Sequence, residues 1–430
     1  MTFDSSSLSD FHRANQLRSS ASHDLVRRTG SHRAPILLSV RAMHPARVRW
    51  FGIVTFGWAL CALGTVATLA AGGCALGDGA PPAGAWTVSA TTTVRVHYDT
   101  GFGNRIAIRG SGAPLSWSTG RDATWTSGNV WVASWSASAD LEVKPLINDA
   151  QWSTGGNFRV RAGATTDIYP FFGPSTGSFV QVPGFWSPQL GNSRTLLLYL
   201  PPSYRENTLK RYPVLYMHDG QNLFDAATSA FGTEWQVDEN IDGAVAGGHM
   251  DEVIVVGVYN TSNRIWEYTP CCDATYGGGG ADTYERFLID TVKPFVDQNF
   301  RTLPGKDQTA IMGSSLGGLL SFYIARRNPT VFGKAGCMSS SFWWNNQALT
   351  VQVEQSTVHV PVKFYLDAGT SNDGLPETTR MDSALLTDGY VQGQDLDFVT
   401  AQGGSHNEAS WAARVAIPLA WLFPWQSTIN

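Results

Sequence analysis

The chain has 430 residues, which is enough for about two or three domains, and its formal net charge of −5 is mildly acidic. It has no basic patch and no interleaving of basic with aromatic residues, so we expect no nucleic-acid partner. The 16 Trp and 44 Gly, with only 15% charged residues, are more typical of extracytoplasmic proteins that contact sugars.

The N-terminal segment reads as an export signal preceded by an extension. Residues 1–42 are polar, rich in Ser and Arg, and without sustained periodicity, so we interpret them as disordered or non-native, with Met43 as the natural start. A basic segment, 43–49, then leads into an uncharged apolar run, 50–73, which ends in small residues before Cys74. This order predicts a secretory signal.

The end of that signal, 69–74, resembles a bacterial lipobox, which implies that Cys74 is the lipidated first residue of the mature protein. The signal then covers 43–74, and 75–85 form a linker of small residues. An uncleaved membrane anchor is the alternative, because the apolar run is long enough to span a bilayer. Under either reading we expect an extracytoplasmic protein, secreted or held at the membrane through a lipid anchor or the signal segment.

Three cysteines follow the signal, namely Cys271, Cys272 and Cys337. In an oxidising compartment we expect one disulfide and one free thiol. Adjacent cysteines seldom pair with each other, so a bond between Cys337 and one of the other two is an option. No Cys/His spacing is typical of a metal site, and we expect neither a metal nor another cofactor.

Residues 86–172 consist of short segments that alternate apolar and polar residues, separated by turn signals. Strands are predicted at 93–98, 105–110, 130–135, 141–146 and 157–160. Several short strands within fewer than about a hundred residues predict a small antiparallel β-sandwich.

This region resembles the starch-binding, immunoglobulin-like carbohydrate-binding modules. The resemblance rests on the segments 108–110, 115–117, 143–148, 152 and 156–157. In such modules exposed tryptophans stack on sugar rings, which implies Trp117 and Trp152 as carbohydrate-binding residues and a polysaccharide as a partner. The alternative is that both are core or interface aromatics and that the domain is a spacer.

A linker over 173–194 precedes a second domain over 195–430. Apolar strands are predicted at 195–200, 212–218 and 252–258, and helices at 234–246, 283–299, 319–327 and 378–386. This alternation predicts a mostly parallel sheet with helices on both faces.

Residues 307–327, DQTAIMGSSLGGLLSFYIARR, hold the most informative motif of the chain. A short apolar strand turns sharply into a helix, and G-x-S-x-G at such a turn is the nucleophile elbow of the α/β-hydrolases. Side chains at Gly313 and Gly317 would collide across the turn. We therefore predict Ser315 as the nucleophile and the Leu316 N–H as one oxyanion donor.

Ser315 needs a base, and the base needs a residue that orients it. His406 lies in a loop just ahead of a predicted helix, and it is the strongest candidate among the nine histidines. Asp367 and Asp373 compete for the acid, with Glu377 as a third candidate. In this fold the acid lies in the loop past its strand, which favours Asp373. The order serine, acid, histidine is that of the α/β-hydrolases.

Four segments carry a second resemblance, namely HDGQNLFD at 218–225, EYTP at 267–270, GSSLGG at 313–318 and HNEASW at 406–411. Together they resemble the esterase family that includes esterase D-like, enterochelin-esterase-like and feruloyl or acetylxylan esterases, over roughly 195–424. The resemblance implies an α/β-hydrolase fold, an ester substrate, and a second oxyanion N–H at Gln221. Cys271 and Cys272 depart from the closest pattern.

These observations predict an exported serine carboxylester hydrolase that forms an acyl-enzyme on Ser315 and acts on an acylated carbohydrate or a related ester. A non-catalytic carbohydrate-binding protein on a hydrolase scaffold is one alternative. An acyltransferase with the same triad is another, because a sugar hydroxyl can replace water in the attack on an acyl-enzyme.

Overall fold

The computed structural model describes residues 90–356 and 358–425, which belong to one compact unit. The predicted signal, Cys74 and the linker over 75–85 lie outside these residues. Within the described part of the chain, no helix is both long enough and apolar enough to cross a membrane.

Nine strands form two sheets in the N-terminal part. They are β1 (Ala90–His97), β2 (Ile106–Gly110), β3 (Arg121–Asp122), β4 (Thr124–Thr126), β5 (Val130–Ala137), β6 (Leu141–Ile147), β7 (Gln151–Trp152), β8 (Phe158–Val160) and β9 (Thr165–Ile168). One sheet has the order β4-β5-β1-β9, and the other has β3-β2-β6-β7 with β8 also paired to β6. Strand β5 buries every second residue, including Trp131 and Trp135, and these pack with Ile108 and Val143 of the other sheet.

Six of the seven strand pairings in these two sheets are antiparallel, but β9 pairs with β1 in parallel, with Val94 opposite Thr166. The chain enters β9 after β8, which belongs to the second sheet. The predicted all-antiparallel pattern differs from the structure at this strand.

Ten further strands belong to the C-terminal part. They are β10 (Ser178–Ser187), β11 (Asn192–Leu200), β12 (Val214–His218), β13 (Ile254–Val258), β14 (Cys272–Asp273), β15 (Gly277–Gly278), β16 (Thr309–Ser314), β17 (Lys334–Met338), β18 (Lys363–Ser371) and β19 (Leu396–Ser405). Strands β14 and β15 form a separate hairpin, and the others form one sheet in the order β10-β11-β13-β12-β16-β17-β18-β19. Strands β10 and β11 are antiparallel to their neighbours, and the remaining pairings are parallel. The mostly parallel sheet is as predicted.

Helices cover both faces of this sheet. They are α1 (Val237–Ala246), α2 (Arg264–Glu267), α3 (Ala281–Phe287), α4 (Lys293–Asn299), α5 (Leu316–Arg327), α6 (Trp344–Glu354), α7 (Leu375–Thr387), α8 (Glu408–Ala412) and α9 (Ala416–Leu422). Alternate residues of β12 enter different cores, with Tyr216 in one cluster and Leu215 and Met217 in the other. Two-sided burial explains why the strand reads as a continuous apolar run.

The segment 173–194, predicted as a linker, contains the edge strand β10. This strand alternates exposed and half-buried residues and carries a bulge between Val182 and Phe185. With Pro183 and Gly184 inside it, its sequence has the composition of a loop, and such residues are tolerated at a sheet edge.

Polar contacts connect the N-terminal sheets to the larger domain. Buried Asn207 donates through Nδ2 to the carbonyls of His97 and Pro170, each at 2.9 Å. The Glu206 carboxylate accepts from the Tyr98 hydroxyl at 2.7 Å and from the Phe172 N–H at 2.6 Å. We call Glu206 and Asn207 the seam residues.

The three described cysteines are free thiols, in contrast to the expected disulfide. Cys337 lies in the central strand β17 and is fully buried in the hydrophobic core. Cys271 and Cys272 belong to the surface segment around the β14–β15 hairpin. The prediction counted cysteines, and the count does not reveal that Cys337 is a core residue.

Candidate active site

The carboxyl ends of the parallel strands meet at one edge of the sheet, where ligands bind in open α/β folds. Strands β16, β18 and β19 end there, just before Ser315, Asp373 and His406 respectively. The predicted site residues therefore share this edge because of the strand order.

Ser315 lies in the sharp turn between β16 and α5. Its φ of 56° is in the left-handed region, which few non-glycine residues adopt. A Cβ at Gly313 would come within 2.8 Å of the Gly317 carbonyl carbon, as the steric argument from sequence predicts. A Cβ at Gly317 would lie 3.3 Å from the His218 Cβ, so this glycine allows the segment after β12 to approach the elbow.

The structure brings Ser315, His406 and Asp373 together. The Ser315 Oγ lies 2.9 Å from His406 Nε2, and His406 Nδ1 lies 2.7 Å from Asp373 Oδ1. The Asp373 carboxylate is buried, whereas the histidine ring is partly exposed. The serine, imidazole and carboxylate thus form a continuous hydrogen-bonded chain with its serine end open to solvent.

The surroundings of Asp373 favour its ionised form. Its Oδ2 accepts from the Ser339 hydroxyl and from the Gly369 N–H, both at 2.6 Å. Burial opposes ionisation, but the hydrogen bonds from His406, Ser339 and Gly369 hold the pKa of this carboxyl below its usual range. An ionised Asp373 can fix the tautomer of His406 that carries its proton on Nδ1.

Asp367 and Glu377, the other two candidates for the acid, lie in different surroundings from Asp373. Asp367, at the buried end of β18, pairs with Arg414 through two contacts of 3.0 Å and does not contact His406. Burial raises the pKa of Asp367 in spite of that cation. Glu377 lies in the first turn of α7 and is half-buried. Of the three candidates named from sequence, Asp373 is the one whose carboxylate meets the imidazole.

The two predicted oxyanion donors both lie at starts of helical turns. Leu316 is the first residue of α5, and Gln221 is in the 3₁₀ turn Gly220–Asn222 that follows β12. The N–H groups of a first helical turn have no acceptor within their own helix, so they are available to an anion.

Asp219 holds the loop that carries Gln221. It has a left-handed φ of 56°, and its carboxylate accepts two hydrogen bonds of 2.7 Å from Arg264. Asn260 donates to the same carboxylate at 2.6 Å. Burial opposes ionisation of Asp219, but Arg264 keeps its pKa lowered. The loop is therefore anchored beside the elbow by an ion pair whose carboxylate is buried and whose arginine is partly exposed.

A family model described as "Putative esterase" matches residues 187–421, which is more than half of the chain. The chain belongs to this esterase family. The resemblance predicted over 195–424 is thereby confirmed, and the fold is that of an α/β-hydrolase-like ester hydrolase with a mixed sheet. The match does not reach 86–172, so the resemblance of that region to carbohydrate-binding modules stays a prediction.

Several known proteins are similar to the esterase. The protein YbbA of Bacillus subtilis is 25% identical over 254 residues, covering 56% of this chain and 96% of that protein. An endo-1,4-beta-xylanase/feruloyl esterase of Xylanibacter ruminicola is 30% identical over 179 residues, covering 40% of this chain and 23% of that protein. The solved structure of a ferulic acid esterase aligns with a TM-score of 0.47 at 20% identity, covering 58% of this chain and 98% of that one.

Beside the elbow the esterase presents three aromatic rings, Tyr276, Trp343 and Trp344, which we call the aromatic corner. Tyr276 lies 6.0 Å from each tryptophan ring; Tyr276 and Trp343 are 39% and 37% exposed, whereas Trp344 is buried. The corner follows Ser341, whose Oγ is 3.3 Å from the Ser315 Oγ. Trp343 and Trp344 therefore lie within a few residues of a side chain that contacts Ser315.

The segment 271–280, which contains Cys271 and consecutive glycines, packs against the aromatic corner. Trp344 donates through Nε1 to the Cys271 carbonyl at 2.9 Å, and a Cβ at Gly278 would lie only 3.0 Å from the Trp344 ring. A Cβ at Gly280 would lie 2.4 Å from the Trp266 ring. The consecutive glycines are thus needed where indole rings pack directly on the backbone.

Trp117 and Trp152 are neighbours on the N-terminal sheets. Their ring centroids are 6.3 Å apart, and the residues are 39% and 41% exposed. The guanidinium of Arg109 lies over the Trp152 ring at 5.1 Å and is held by Asp149. We call Trp117 and Trp152 the tryptophan pair.

Several residues at the site were not found from sequence. Ser339 and Ser341 follow β17 at the carboxyl edge, and that position in the sheet was an available signal. Arg414 and Arg264 act through ion pairs with Asp367 and Asp219, and such long-range pairs leave no local pattern.

One group of acidic side chains in the described part of the chain has a spacing that could hold a metal ion. Its members are Glu234, Asp238 and Glu239, at the start of α1. The absence of a metal, expected from sequence, stays a prediction.

Proposed function

We propose that this esterase is an exported serine carboxylester hydrolase. The observation that supports it is the hydrogen-bonded chain from the Ser315 Oγ through His406 to Asp373, with distances of 2.9 and 2.7 Å. In the first step the Ser315 oxygen attacks the ester carbonyl carbon while His406 Nε2 takes the hydroxyl proton. The carbonyl oxygen becomes an anion that the Leu316 and Gln221 N–H groups can stabilise.

Collapse of the tetrahedral intermediate breaks the bond to the alcohol, and His406 gives its proton to the departing alkoxide. The acyl group stays on Ser315 as an ester. Water then attacks this acyl-enzyme with His406 as the base, and a second collapse releases the carboxylic acid and restores the serine. Asp373 keeps His406 oriented and stabilises the imidazolium that forms in each half of the cycle.

We propose an acylated carbohydrate, or a related ester that carries a ring, as the substrate. In the aromatic corner the exposed Trp343 closely follows Ser341, which contacts the proposed nucleophile, and the exposed Tyr276 ring lies against Trp343. The tryptophan pair offers a second set of ring faces on the N-terminal β region, which we propose to be a β-sandwich that binds polysaccharide. One similar protein bears the name feruloyl esterase.

Substitution of the nucleophile and the base tests the chemistry. Ser315→Ala and His406→Ala should each lower kcat on p-nitrophenyl esters at least about a thousandfold, with unchanged unfolding midpoints. Thr379→Ala, an exposed position on α7, serves as the control and should leave kcat unchanged. If Ser315→Ala keeps most of the activity, the serine mechanism is refuted.

Export is proposed on the basic segment 43–49, the apolar run 50–73 and Cys74. When the chain is expressed in a bacterial host, mass spectrometry should find it processed at Cys74 and the protein should partition with membranes. Cys74→Ala should abolish the lipid modification. An intact 50–73 segment in the purified protein would instead establish an uncleaved anchor.

A further inference from the structure

Asp367, the rejected candidate for the acid, is fully buried only a few residues from Asp373. Its two oxygens accept from Arg414 Nε and Nη2, both at 3.0 Å, and the Ser339 N–H donates to Oδ1 at 2.9 Å. Tyr365 adds a hydrogen bond of 3.2 Å. A charge of this kind is costly to bury, so the arrangement needs a reason beyond stability.

Arg414 connects that carboxylate to the triad. The same Nη2 that binds Asp367 donates to the Ser339 Oγ at 2.5 Å and lies 3.3 Å from Asp373 Oδ2. The Arg414 side chain is only 6% exposed, so water does not screen these contacts. One guanidinium thus stands between two carboxylates and a serine hydroxyl.

Ser339 is the junction of this network. Its Oγ accepts from Arg414 and from Trp411 Nε1, the latter at 2.9 Å, and therefore its single proton is directed to Asp373 Oδ2. Trp411 also contacts the His406 ring edge-on, with centroids 5.2 Å apart. The hydroxyl cannot rotate away without losing two donors, which fixes the direction of its hydrogen bond.

We propose that Arg414 and Ser339 are positioning residues that hold Asp373 in line with His406, and that Asp367 serves to hold Arg414. The inference rests on the proposed serine mechanism and extends it. Asp373 follows a strand end and lies in a loop, where a carboxylate would otherwise have rotational freedom. The buried Arg414–Asp367 ion pair fixes the position of that loop. A displacement of a catalytic group by about 1 Å can lower the rate about a hundredfold.

Two variants separate positioning from stability. Ser339→Ala removes the hydrogen bond to Asp373 but leaves the Arg414–Asp367 pair, so kcat should fall about tenfold or more while KM changes less than about threefold. Arg414→Met should lower kcat further, about a hundredfold. Arg414→Lys should recover part of that loss, because an ammonium keeps the charge but cannot contact Asp367 and Ser339 as a fork.

Lys210→Met is the matched control. Lys210 pairs at 2.6 Å with Glu252, which is buried to a similar degree but precedes β13 at the opposite edge of the sheet. This variant should lose stability in denaturant titrations and keep the kcat of its folded fraction. If Arg414→Met and Ser339→Ala behave like Lys210→Met, with kcat per folded molecule unchanged, the positioning role is refuted.

Labelling with diisopropyl fluorophosphate distinguishes failure of this inference from failure of the proposed function. The phosphorus of this probe is attacked by an activated serine oxygen with loss of fluoride. Wild-type protein should be labelled on Ser315, and Ser339→Ala and Arg414→Met more slowly. Labelling of all three at the same rate overturns the positioning role alone, whereas unlabelled wild-type protein overturns the serine mechanism and this inference with it.

Discussion

At the scale of single residues, the two aspartates of the β18 region have different partners, and we propose different roles for them. Asp373 contacts His406, whereas Asp367 contacts Arg414. Local sequence cannot separate them, because both stand at the carboxyl end of one strand and either could face the histidine. The preference for the loop residue came from the general position of the acid in this fold, and the contacts agree with it.

Substitution by asparagine should separate these two tasks. Asp373→Asn should lower kcat by about a thousandfold or more with little loss of stability, because an amide no longer fixes the His406 tautomer. Asp367→Asn should mainly destabilise the fold, by about 3 kcal/mol or more, because it leaves Arg414 buried beside a neutral partner. Urea titration and ester kinetics on the same samples measure both effects. A greater kcat loss for Asp367→Asn than for Asp373→Asn would reverse the assignment.

Ser315 and His406, the proposed nucleophile and base, could be singled out from sequence because their signals are local. Ser315 is marked by glycines that the tight turn requires, and His406 by its place between a strand and a helix. Of the two proposed positioning residues, Arg414 could not be predicted in this way, and Ser339 only from its position after β17. Ser339 and Arg414 are far apart in sequence, and their meeting depends on the order of β17, β18 and α8 in space.

At the scale of elements, apolar patterning predicted the central strands and missed β10. Strand β12 is buried on both faces, so its sequence is apolar throughout and easily recognised. Strand β10 lies at the sheet edge with one face exposed, and its Pro183 and Gly184 resemble a loop. The boundary between the domains was therefore placed after an edge strand that belongs to the sheet.

Helix α1 begins with an acidic group whose charge should make stability depend on pH. Burial, together with a hydrogen bond and repulsion from Glu239, raises the pKa of Asp238 from 3.8 to about 7. The folded state thus binds this proton more tightly than the unfolded state. Stability from this group is complete below the ordinary pKa and is lost as the pH rises through about 7.

Asp238→Asn should remove the loss of folding stability that accompanies ionisation of Asp238. The variant should gain stability over wild type, and the gain should be larger at about pH 8 than at about pH 5, as measured by urea titration. Thr379→Ala, at an exposed and non-titratable position on α7, is the control and should show a similar, small change at both values. An Asp238→Asn variant that is destabilised equally at both pH values would contradict the burial argument.

At the scale of the whole molecule, all the proposed catalytic residues lie after residue 195, yet the N-terminal sheets are not a loosely tethered spacer. Asn207 is buried and has both of its acceptors in the 90–172 region, and the Glu206 carboxylate receives donors from the same region. Trp425 packs on Phe158 and donates to the Asn157 carbonyl at 2.8 Å. These contacts between the two parts of the chain could not be predicted from sequence, because single polar residues in a loop form no recognisable sequence pattern.

The N-terminal sheets can contribute in two ways, by binding polysaccharide and by supporting the larger domain through the contacts of the seam residues. Two variants measure these contributions separately. Trp117→Ala/Trp152→Ala in the full chain removes the exposed rings while keeping the seam residues paired. If the tryptophan pair binds sugar, this variant should keep its kcat on a small soluble ester and lose activity selectively on an acylated polysaccharide. This loss is expected because the variant has a lower effective concentration at the polymer. Each tryptophan ring should contribute about 1 kcal/mol or more of stacking free energy.

A chain that begins at residue 174 lacks both the tryptophan pair and the partners of the seam residues. It should show the same selective loss on polymer and, in addition, a lower melting temperature, because Asn207 and Glu206 then lack their partners. Equal polymer activity in the double variant and the wild type would make the sheets a structural support rather than a binding module. Loss of small-ester activity in the shortened chain, while it remains folded, would mean that the seam shapes the active site itself.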